Sequence, residues 1–319
     1  MKVVGISEFG GPEVLRVHEM PDPHAGPGEI RIRVHAASVS PADTLIRSGA
    51  ARAALQGQPP YVAGLDAAGV VDEIGPESVT DLALGDRVMA MINPTRPAGG
   101  AYAQWVVLPA SYVVRAPSGS SHAEASTLPM SGLTARLALD ELALSPGATL
   151  GVTGAAGAVG GFAVQLAKAD GLTVIADASP DDDALVSALG ADAVVRRGPD
   201  VASRFHEVIP QGVDAIVDAA LIGDDLLPAI RDGGAMALVR APNKPGAAGT
   251  SVSKRGIVLR SIYVHDYDGR HDKLDTLREQ AERGELTMRV ASTYPMEQAQ
   301  EAHRILEAGG TRGRLVLEF

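Results

Sequence analysis

The sequence predicts an α/β protein in two parts, a β-rich N-terminal stretch followed by a stretch in which strands and helices alternate to build a parallel sheet. Three observations carry this. Short Val/Ile runs broken by Gly/Pro turns fill the chain to about residue 118, and strand–helix alternation begins near Ser121. The third is a turn of small residues, Gly154-Ala155-Ala156-Gly157-Ala158-Val159-Gly160, set between a strand and a helix. At 319 residues the chain has the length of two domains rather than one.

Taken in order, residues 30–34, 69–74, 86–91 and 102–108 read as strands, separated by turns at Pro27-Gly28, Gly75-Pro76 and Gly99-Gly100. Strands so spaced suggest a small barrel or sandwich. The Pro-rich run from Asn93-Pro94 to Pro97 reads as a loop. Beyond Ser121, Thr149–Thr153 is a buried strand, and Val159, Phe162, Ala163, Leu166 and Ala167 share one helical face. A strand at 173–176 and a helix at 181–189 follow, then strands at 193–195, 215–217, 235–239 and 257–262. Helices between successive strands imply right-handed crossovers. The apolar 257–262 strand is expected at one edge of the sheet, where unpaired backbone groups favour pairing into a homodimer. After Tyr263 the chain reads as a helix at 271–283, mixed segments and a final strand at 314–319. No internal repeat and no low-complexity linker interrupts it.

Hydrophobic residues make up 45% and charged residues 21%, a globular composition. Aromatics are only 3%, so the core must be packed from Ala, Val, Leu and Ile. A net charge of −11 repels phosphates and argues against nucleic acid or an anionic membrane as partner. The absence of cysteine excludes disulfides, thiolate nucleophiles and Cys-based zinc sites. Met1-Lys2-Val3-Val4-Gly5-Ile6 is too short an apolar run for a signal peptide, and no window approaches the roughly 18 apolar residues of a membrane span. The expected location is the cytoplasm.

The glycine turn points to a dinucleotide. A helix that starts inside the turn aims its first N–H groups, and the positive end of its dipole, at a pyrophosphate. Gly157 lets the phosphate approach the backbone and Gly160 lets the helix pack on the strand, while Ala155 stands where the first glycine is usual, behind Gly154. The bland alternative is a tight strand–helix turn. The next strand ends in Ile175-Ala176-Asp177-Ala178-Ser179-Pro180-Asp181-Asp182-Asp183, where the adenosine ribose would lie. An acidic side chain there suits a free 2′-hydroxyl, and a 2′-phosphate wants a cation. The three successive aspartates also serve as helix N-terminal charges, and Arg196-Arg197 one strand on supply positive charge.

Several stretches in order then resemble the zinc-free, zeta-crystallin-like quinone oxidoreductase branch of the medium-chain dehydrogenase/reductase superfamily. They are Phe9-Gly-Gly-Pro-Glu-Val-Leu15, Ser38-Val-Ser40-Pro41-Ala-Asp43-Thr44-Leu45-Ile-Arg47-Ser-Gly49, Gly64-Leu65-Asp66-Ala-Ala-Gly69, Gly85-Asp86-Arg87-Val88, Gly100-Ala-Tyr102-Ala-Gln and Leu128-Pro129-Met130-Ser-Gly132-Leu-Thr134-Ala135. The resemblance runs from about residue 6 to residue 318. It implies a GroES-like catalytic domain from residues 1–120, completed by 263–319, with a Rossmann NAD(P)-binding domain inserted at 121–262. It also implies hydride transfer from a nicotinamide to a quinone, an enone or another electron-poor double bond.

Zinc-dependent relatives hold catalytic metal with two cysteines and a histidine. The matching positions are Ser40, Leu65 and Met130, which make no competent ligand set, and the four-cysteine structural lobe is missing too. The resemblance places Thr134 near the nicotinamide ring, Ala156, Gly157, Ala158, Val159 and Gly160 around the pyrophosphate, and Ser179 and Arg197 at the adenosine side. Ser261, Ile262 and Tyr263 match a segment that touches the carboxamide. Four positions depart from the pattern: Ser40 for Asn, Leu45 for Tyr, Asp183 for a basic residue and Arg240 for the glycine after the fifth strand, where Arg240 points into the cofactor region or shields its edge.

Ser40 is a candidate to orient the substrate carbonyl, or simply ends a strand before Pro41. Tyr61 and Tyr263 could donate to a developing enolate oxygen, or pack; His265 could line the cleft, and the remaining histidines read as surface residues. Structural pairing is the expected role of Asp43 and Asp66, with Arg47 as the plausible partner. No strong acid emerges, so the proton is expected from solvent. The expected cofactor is NADPH, with NADH as its competitor. Two other readings stay open: an enoyl reductase for a specific biosynthetic intermediate, which Leu45 would suit, and a non-catalytic NAD(P)H-binding sensor.

Overall fold

Two short strands, β1 (Lys2–Ile6) and β2 (Leu15–Glu19), open the chain and pair antiparallel from Lys2–Glu19 to Ile6–Leu15. The computed structural model describes residues 1–239 and 250–319. The long strand β3 (Glu29–Val39) buries Ile30, Ile32 and Val34 on alternate positions, the period of a half-buried strand. From Ala36 to Ser40 every residue is buried, so the strand loses its wet face where it runs into α1 (Pro41–Arg47). Pro41 suits the first turn of that helix, where its missing N–H costs nothing. Then come β4 (Tyr61–Val62), β5 (Asp66–Ile74), β6 (Arg87–Met91), β7 (Trp105–Pro109), β8 (Val113–Arg115) and the four-residue α2 (His122–Ala125).

The helix α3 (Pro129–Leu142) precedes the alternating region: β9 (Thr149–Thr153), α4 (Ala158–Ala169), β10 (Thr173–Ala178), α5 (Asp183–Ala188), β11 (Ala193–Arg196), α6 (Val201–Val208) and β12 (Val213–Asp218). The expected 181–189 helix is shorter, because Pro180–Asp182 form a separate 3-10 turn before it. The strands β13 (Ile230–Leu238), β14 (Thr250–Val252) and β15 (Val258–Ser261) follow, and α7 (His271–Glu282), β16 (Val290–Pro295), α8 (Ala299–Ala308) and β17 (Arg314–Glu318) close the chain.

Two compact units result. Residues 1–130, 267–282 and 288–319 make the first, and residues 131–266 and 283–287 the second. In the first, a sheet ordered β16-β17-β3-β5-β6-β8, with β7 also on β3, lies in one unit with a small sheet β2-β1-β4. The core there includes Ile32, Val88, Val106, Leu315 and Leu317, and Tyr102 is among its largest wholly buried side chains. In the second, the order is β11-β10-β9-β12-β13-β15-β14, parallel apart from β14. Ile175, Phe205, Ile216, Leu226 and Met236 are buried in it.

One expectation is corrected here. The strand β15 is not an edge: it pairs with β13 on one side and with the antiparallel β14 on the other, and among the described residues β14 ends the sheet. The chain returns antiparallel from outside the 257–262 run, which apolar content alone could not reveal. Among the described residues no helix is long and apolar enough to cross a membrane.

Candidate functional site

In the second unit the chain runs outward from β9 to β10 and β11, then returns to the other side of β9 with β12. That reversal is a topological switch point, and in parallel sheets ligands sit outside the carboxyl ends of the strands at such a point. The glycine turn leaves β9 there. Gly154 adopts φ +66°, and a Cβ on Gly160 would stand 2.3 Å from the Gly154 carbonyl oxygen, so only glycine lets α4 start this close to the turn. Gly157 is the helix N-cap with φ −75° and ψ 176° and has no side chain to cap with. The N–H groups of Ala158, Val159 and Gly160 open the helix, at the end where an α-helix offers its N–H groups to an outside acceptor. Residues 156–159 are partly exposed, so an anion can reach this end.

Two carboxylates fix the turn. Asp177, at the end of β10, accepts from Gly154 N (2.7 Å) and Ala155 N (3.4 Å) through Oδ1. Asp218, at the end of β12, accepts from Thr153 Oγ1 (2.7 Å) and Gly223 N (2.8 Å). Burial pushes the Asp177 carboxyl up from its ordinary range, against the two N–H donors and the Arg197 charge. In the sequence, Asp177 stands out only as part of the segment expected at the adenosine. Its distance of some 20 residues from the glycine turn was the available signal.

In the segment expected at the adenosine side, Ser179 Oγ donates to Asp182 Oδ2 at 2.6 Å, and Asp182 is buried. Of the three successive aspartates, therefore, only Asp181 and Asp183 are exposed. Arg197 is exposed just past β11, its N–H on Ala178 O at 2.8 Å. The turn, Ser179 and Arg197 thus share the carboxyl edge of three neighbouring strands. Ser261 ends β15 on the same edge, and Ile262 N donates to Leu238 O at 2.9 Å. Tyr263 is 38% exposed, its ring edge-on to His265 with centroids 5.2 Å apart. Thr134 is buried on α3, and Arg240 lies outside the described residues.

Ser40 and Tyr61 belong to the first unit. Ser40 is wholly buried: its Oγ accepts from Ala42 N at 3.2 Å, and its own N–H donates to Asp43 Oδ2 at 2.7 Å, a capping box that starts α1. Tyr61 stacks on Phe9 with centroids 5.8 Å apart. Asp43, also wholly buried, accepts from Gly64 N through Oδ1 at 2.8 Å and from Tyr102 Oη through Oδ2 at 3.2 Å. Burial raises the Asp43 carboxyl to about 6, although the Ser40 and Gly64 N–H groups and the Arg314 charge oppose the shift.

The expected pairing with Arg47 does not form. Asp66 pairs with Arg314 Nη2 at 3.0 Å, and also accepts from Ser38 Oγ and Met130 N, each at 2.6 Å. Asp43 takes N–H and hydroxyl donors instead, and Arg47 bonds Gly10 O, His303 and Glu307. His303 is 0% exposed, which corrects the expectation that it lies at the surface. Desolvation, helped by the Arg47 charge, holds its imidazole down at about 3. Ser40, Leu65 and Met130, the positions that the resemblance matches to zinc ligands, are all buried in this unit. Among the described residues no group of three His, Cys, Asp or Glu could hold a metal ion.

Residues 26–118 match the alcohol dehydrogenase GroES-like domain family, and residues 189–317 the zinc-binding dehydrogenase family. The quinone oxidoreductase of Sus scrofa is 28% identical, with 99% of this chain and 97% of that protein covered. A 2-haloacrylate reductase of Burkholderia sp is 29% identical, with 98% and 97% covered. Among solved structures, an NAD-dependent alcohol dehydrogenase is 30% identical with TM-score 0.86, each chain covered at 100%. A mycobacterial protein complexed with NADPH is 28% identical with TM-score 0.84, again at 100% of each chain.

Proposed function

Because the chain belongs to the quinone oxidoreductase-like branch of the medium-chain dehydrogenase/reductase superfamily, we propose that it is a nicotinamide-dependent reductase acting on quinones, enones or other activated double bonds. The observation that carries this reading is the glycine turn at the switch point of the parallel sheet, fixed by Asp177 and Asp218. The cofactor supplies the hydride. The residues fit it: first-turn N–H groups of α4 and the small side chains of residues 156–160 hold the pyrophosphate, and Ser179 and Arg197 meet the adenosine side. Thr134, Ser261, Ile262 and Tyr263 are assigned to the nicotinamide end, and Arg240 to the cofactor region or its edge.

The catalytic candidates are Ser40, Tyr61 and Tyr263, each by itself proposed to orient an acceptor or to donate to an oxygen on which enolate charge develops. Ser40 Oγ already takes one N–H, which leaves its own hydrogen as the donor. The proton that completes the reduction comes from solvent. No step is assigned to zinc, because serine, leucine and methionine at the ligand positions do not fit it.

The 2′-phosphate question sets Arg197 against Asp177 and the exposed Asp181 and Asp183. We assign NADPH on the strength of the arginine, with NADH a close competitor because a buried carboxylate stands at the ribose end. The cytoplasm is the proposed location. A homodimer is the proposed assembly, although the 257–262 strand that motivated it is not a sheet edge.

The test is a screen of NADPH and NADH oxidation against quinones, enones and enoyl thioesters, with and without a chelator. Turnover of a quinone or enone that survives the chelator is expected. Turnover of enoyl thioesters alone identifies a dedicated enoyl reductase, and tight nicotinamide binding without turnover of any acceptor overturns the enzyme reading.

A further inference from the structure

A chain of buried hydrogen bonds runs through the first unit from α8 to the start of α1. Arg47 Nη1 lies 3.2 Å from His303 Nδ1, His303 Nε2 lies 3.2 Å from Tyr102 Oη, and Tyr102 Oη lies 3.2 Å from Asp43 Oδ2. Its sense is fixed by chemistry. A guanidinium only donates, so His303 Nδ1 must accept and the imidazole is the neutral Nε2–H tautomer. That N–H then donates to Tyr102 Oη, which leaves the phenolic hydrogen for Asp43. Arg47 is itself held by Glu307, at 2.5 Å, and by Gly10 O, at 3.2 Å.

The Asp43 end ties down two backbone segments at once, Ser40 through Oδ2 and Gly64 through Oδ1. Tyr102 also meets the second segment directly. Its N–H bonds Ala63 O at 2.9 Å, and a Cβ on Gly64, which sits at φ +101°, would come within 2.6 Å of the Tyr102 ring. Both segments lie in stretches that carry the family resemblance, and the first holds the candidate Ser40.

We infer that Tyr102 is a positioning residue for the proposed reduction: its hydroxyl, oriented by Arg47 and His303, orients the Asp43 carboxylate that holds the Ser40 and Gly64 backbone in register. The inference rests on the reductase reading for its kinetic consequence, but not for its structural one. The groups that face Asp43 are the Ser40 and Gly64 N–H, the Tyr102 hydroxyl, the Arg314 guanidinium and the Asp66 carboxylate. Protonation of Asp43, near pH 6, puts a hydrogen on one accepting oxygen and breaks part of this set, so kcat should fall on the acid side of that value. Removing the phenolic donor raises the carboxyl further, because a hydrogen bond to the ionised form favours it.

The test compares the wild-type protein with Tyr102→Phe, which keeps the ring. Peptide-resolved hydrogen exchange around Ser40 and Gly64 needs no turnover and is expected to speed up at least tenfold. With 1,4-naphthoquinone as acceptor, kcat is expected to fall at least tenfold while KM for the nicotinamide changes less than twofold, and the acid limb to move to higher pH. Exchange and acid limb both unmoved overturn the inference. If the wild type reduces no acceptor, the reductase reading fails and exchange alone decides this one. If Tyr102→Phe does not fold, His303→Gln and His303→Leu decide by exchange. The amide of glutamine accepts from Arg47 and donates to Tyr102, so it should restore protection that leucine loses; equal behaviour of the two overturns the inference.

Discussion

Replacing Gly157 by aspartate separates the binding of a pyrophosphate from the stability of the turn. Gly157 is the N-cap of α4 at φ −75° and ψ 176°, an extended conformation that a capping aspartate adopts without strain. The new Cβ would stand 3.1 Å from Gly154 O, a contact relieved by a shift of a few tenths of an ångström. Aspartate at an N-cap gains a few tenths of a kcal/mol over glycine, and its charge favours the helix dipole by about 0.3–1 kcal/mol. The folded protein without cofactor should therefore keep its Tm within about 2 °C. Cofactor binding responds in the opposite direction. A carboxylate about 4 Å from one phosphate charge is repelled by about 4 kcal/mol at an effective dielectric constant near 20. If solvent halves that, about 2 kcal/mol remains, or roughly a 30-fold weaker Kd at about 1.4 kcal/mol per tenfold. Titration calorimetry with NADPH and NADH, alongside thermal unfolding of the free protein, measures both. Gly157→Ala, which adds the methyl without the charge, should weaken binding less than tenfold. A Kd for Gly157→Asp within threefold of wild type, at unchanged Tm, would refute the reasoning and leave the segment a tight turn.

Cofactor preference responds to two further changes. Arg197→Ala should lower the NADPH-to-NADH ratio of kcat/KM tenfold or more, the loss of a charged hydrogen bond of about 1.5–3 kcal/mol; an unmoved ratio makes Arg197 a surface charge. Asp177→Asn keeps an acceptor for Gly154 N–H but removes the charge, so the same ratio should rise about tenfold, and a fall would place the carboxylate away from the ribose. His303→Gln should blunt acid destabilisation. The folded-state pKa of His303, about 3, lies below the ordinary 6.5, so its contribution is present above about pH 6.5 and is lost as pH falls. Between about pH 7 and pH 5 the wild type should lose about 2 kcal/mol more than the variant in urea unfolding. Asp43 acts in the opposite sense over that interval, but it is common to both proteins and cancels. Equal losses would mean that His303 is protonated without cost in the fold.

The division of the chain into a β-rich unit and a parallel-sheet unit was legible because it rests on local patterns. Alternation of Ile30, Ile32 and Val34, and the helical spacing of Phe162, Ala163 and Leu166, are decided within a few residues. The glycine turn was legible for the same reason, since the strand, the small residues and the helix that define it are contiguous. The edge of the second sheet was not. The pairing of β14 with β15 depends on the chain folding back through 250–252, a short run with no apolar signature of its own.

The polar interior of the first unit was still less accessible, and sequence separation explains why. Ser38 meets Asp66 across 28 residues, Tyr102 meets His303 across 201, Arg47 meets His303 across 256, and Arg314 meets Ser38 across 276. Arg47 stands four residues from Asp43, the spacing at which helical ion pairs form, and local reasoning selects it as the partner. The fold instead sends Arg47 to the C-terminal helix and brings Arg314, from the last strand, to Asp66. A buried carboxylate requires donors but does not specify from where, so burial could be argued from the sequence and the partner could not. Asp43, Arg47, Asp66, His303 and Arg314 are each at most 5% exposed. Taking such groups out of water costs several kcal/mol per charge, and deleting one partner leaves another uncompensated. Hydrophobic packing alone would stabilise the unit at lower cost. The retained network is accounted for by what it holds, the N–H groups of Ser40, Gly64 and Met130, on three segments that carry the family resemblance.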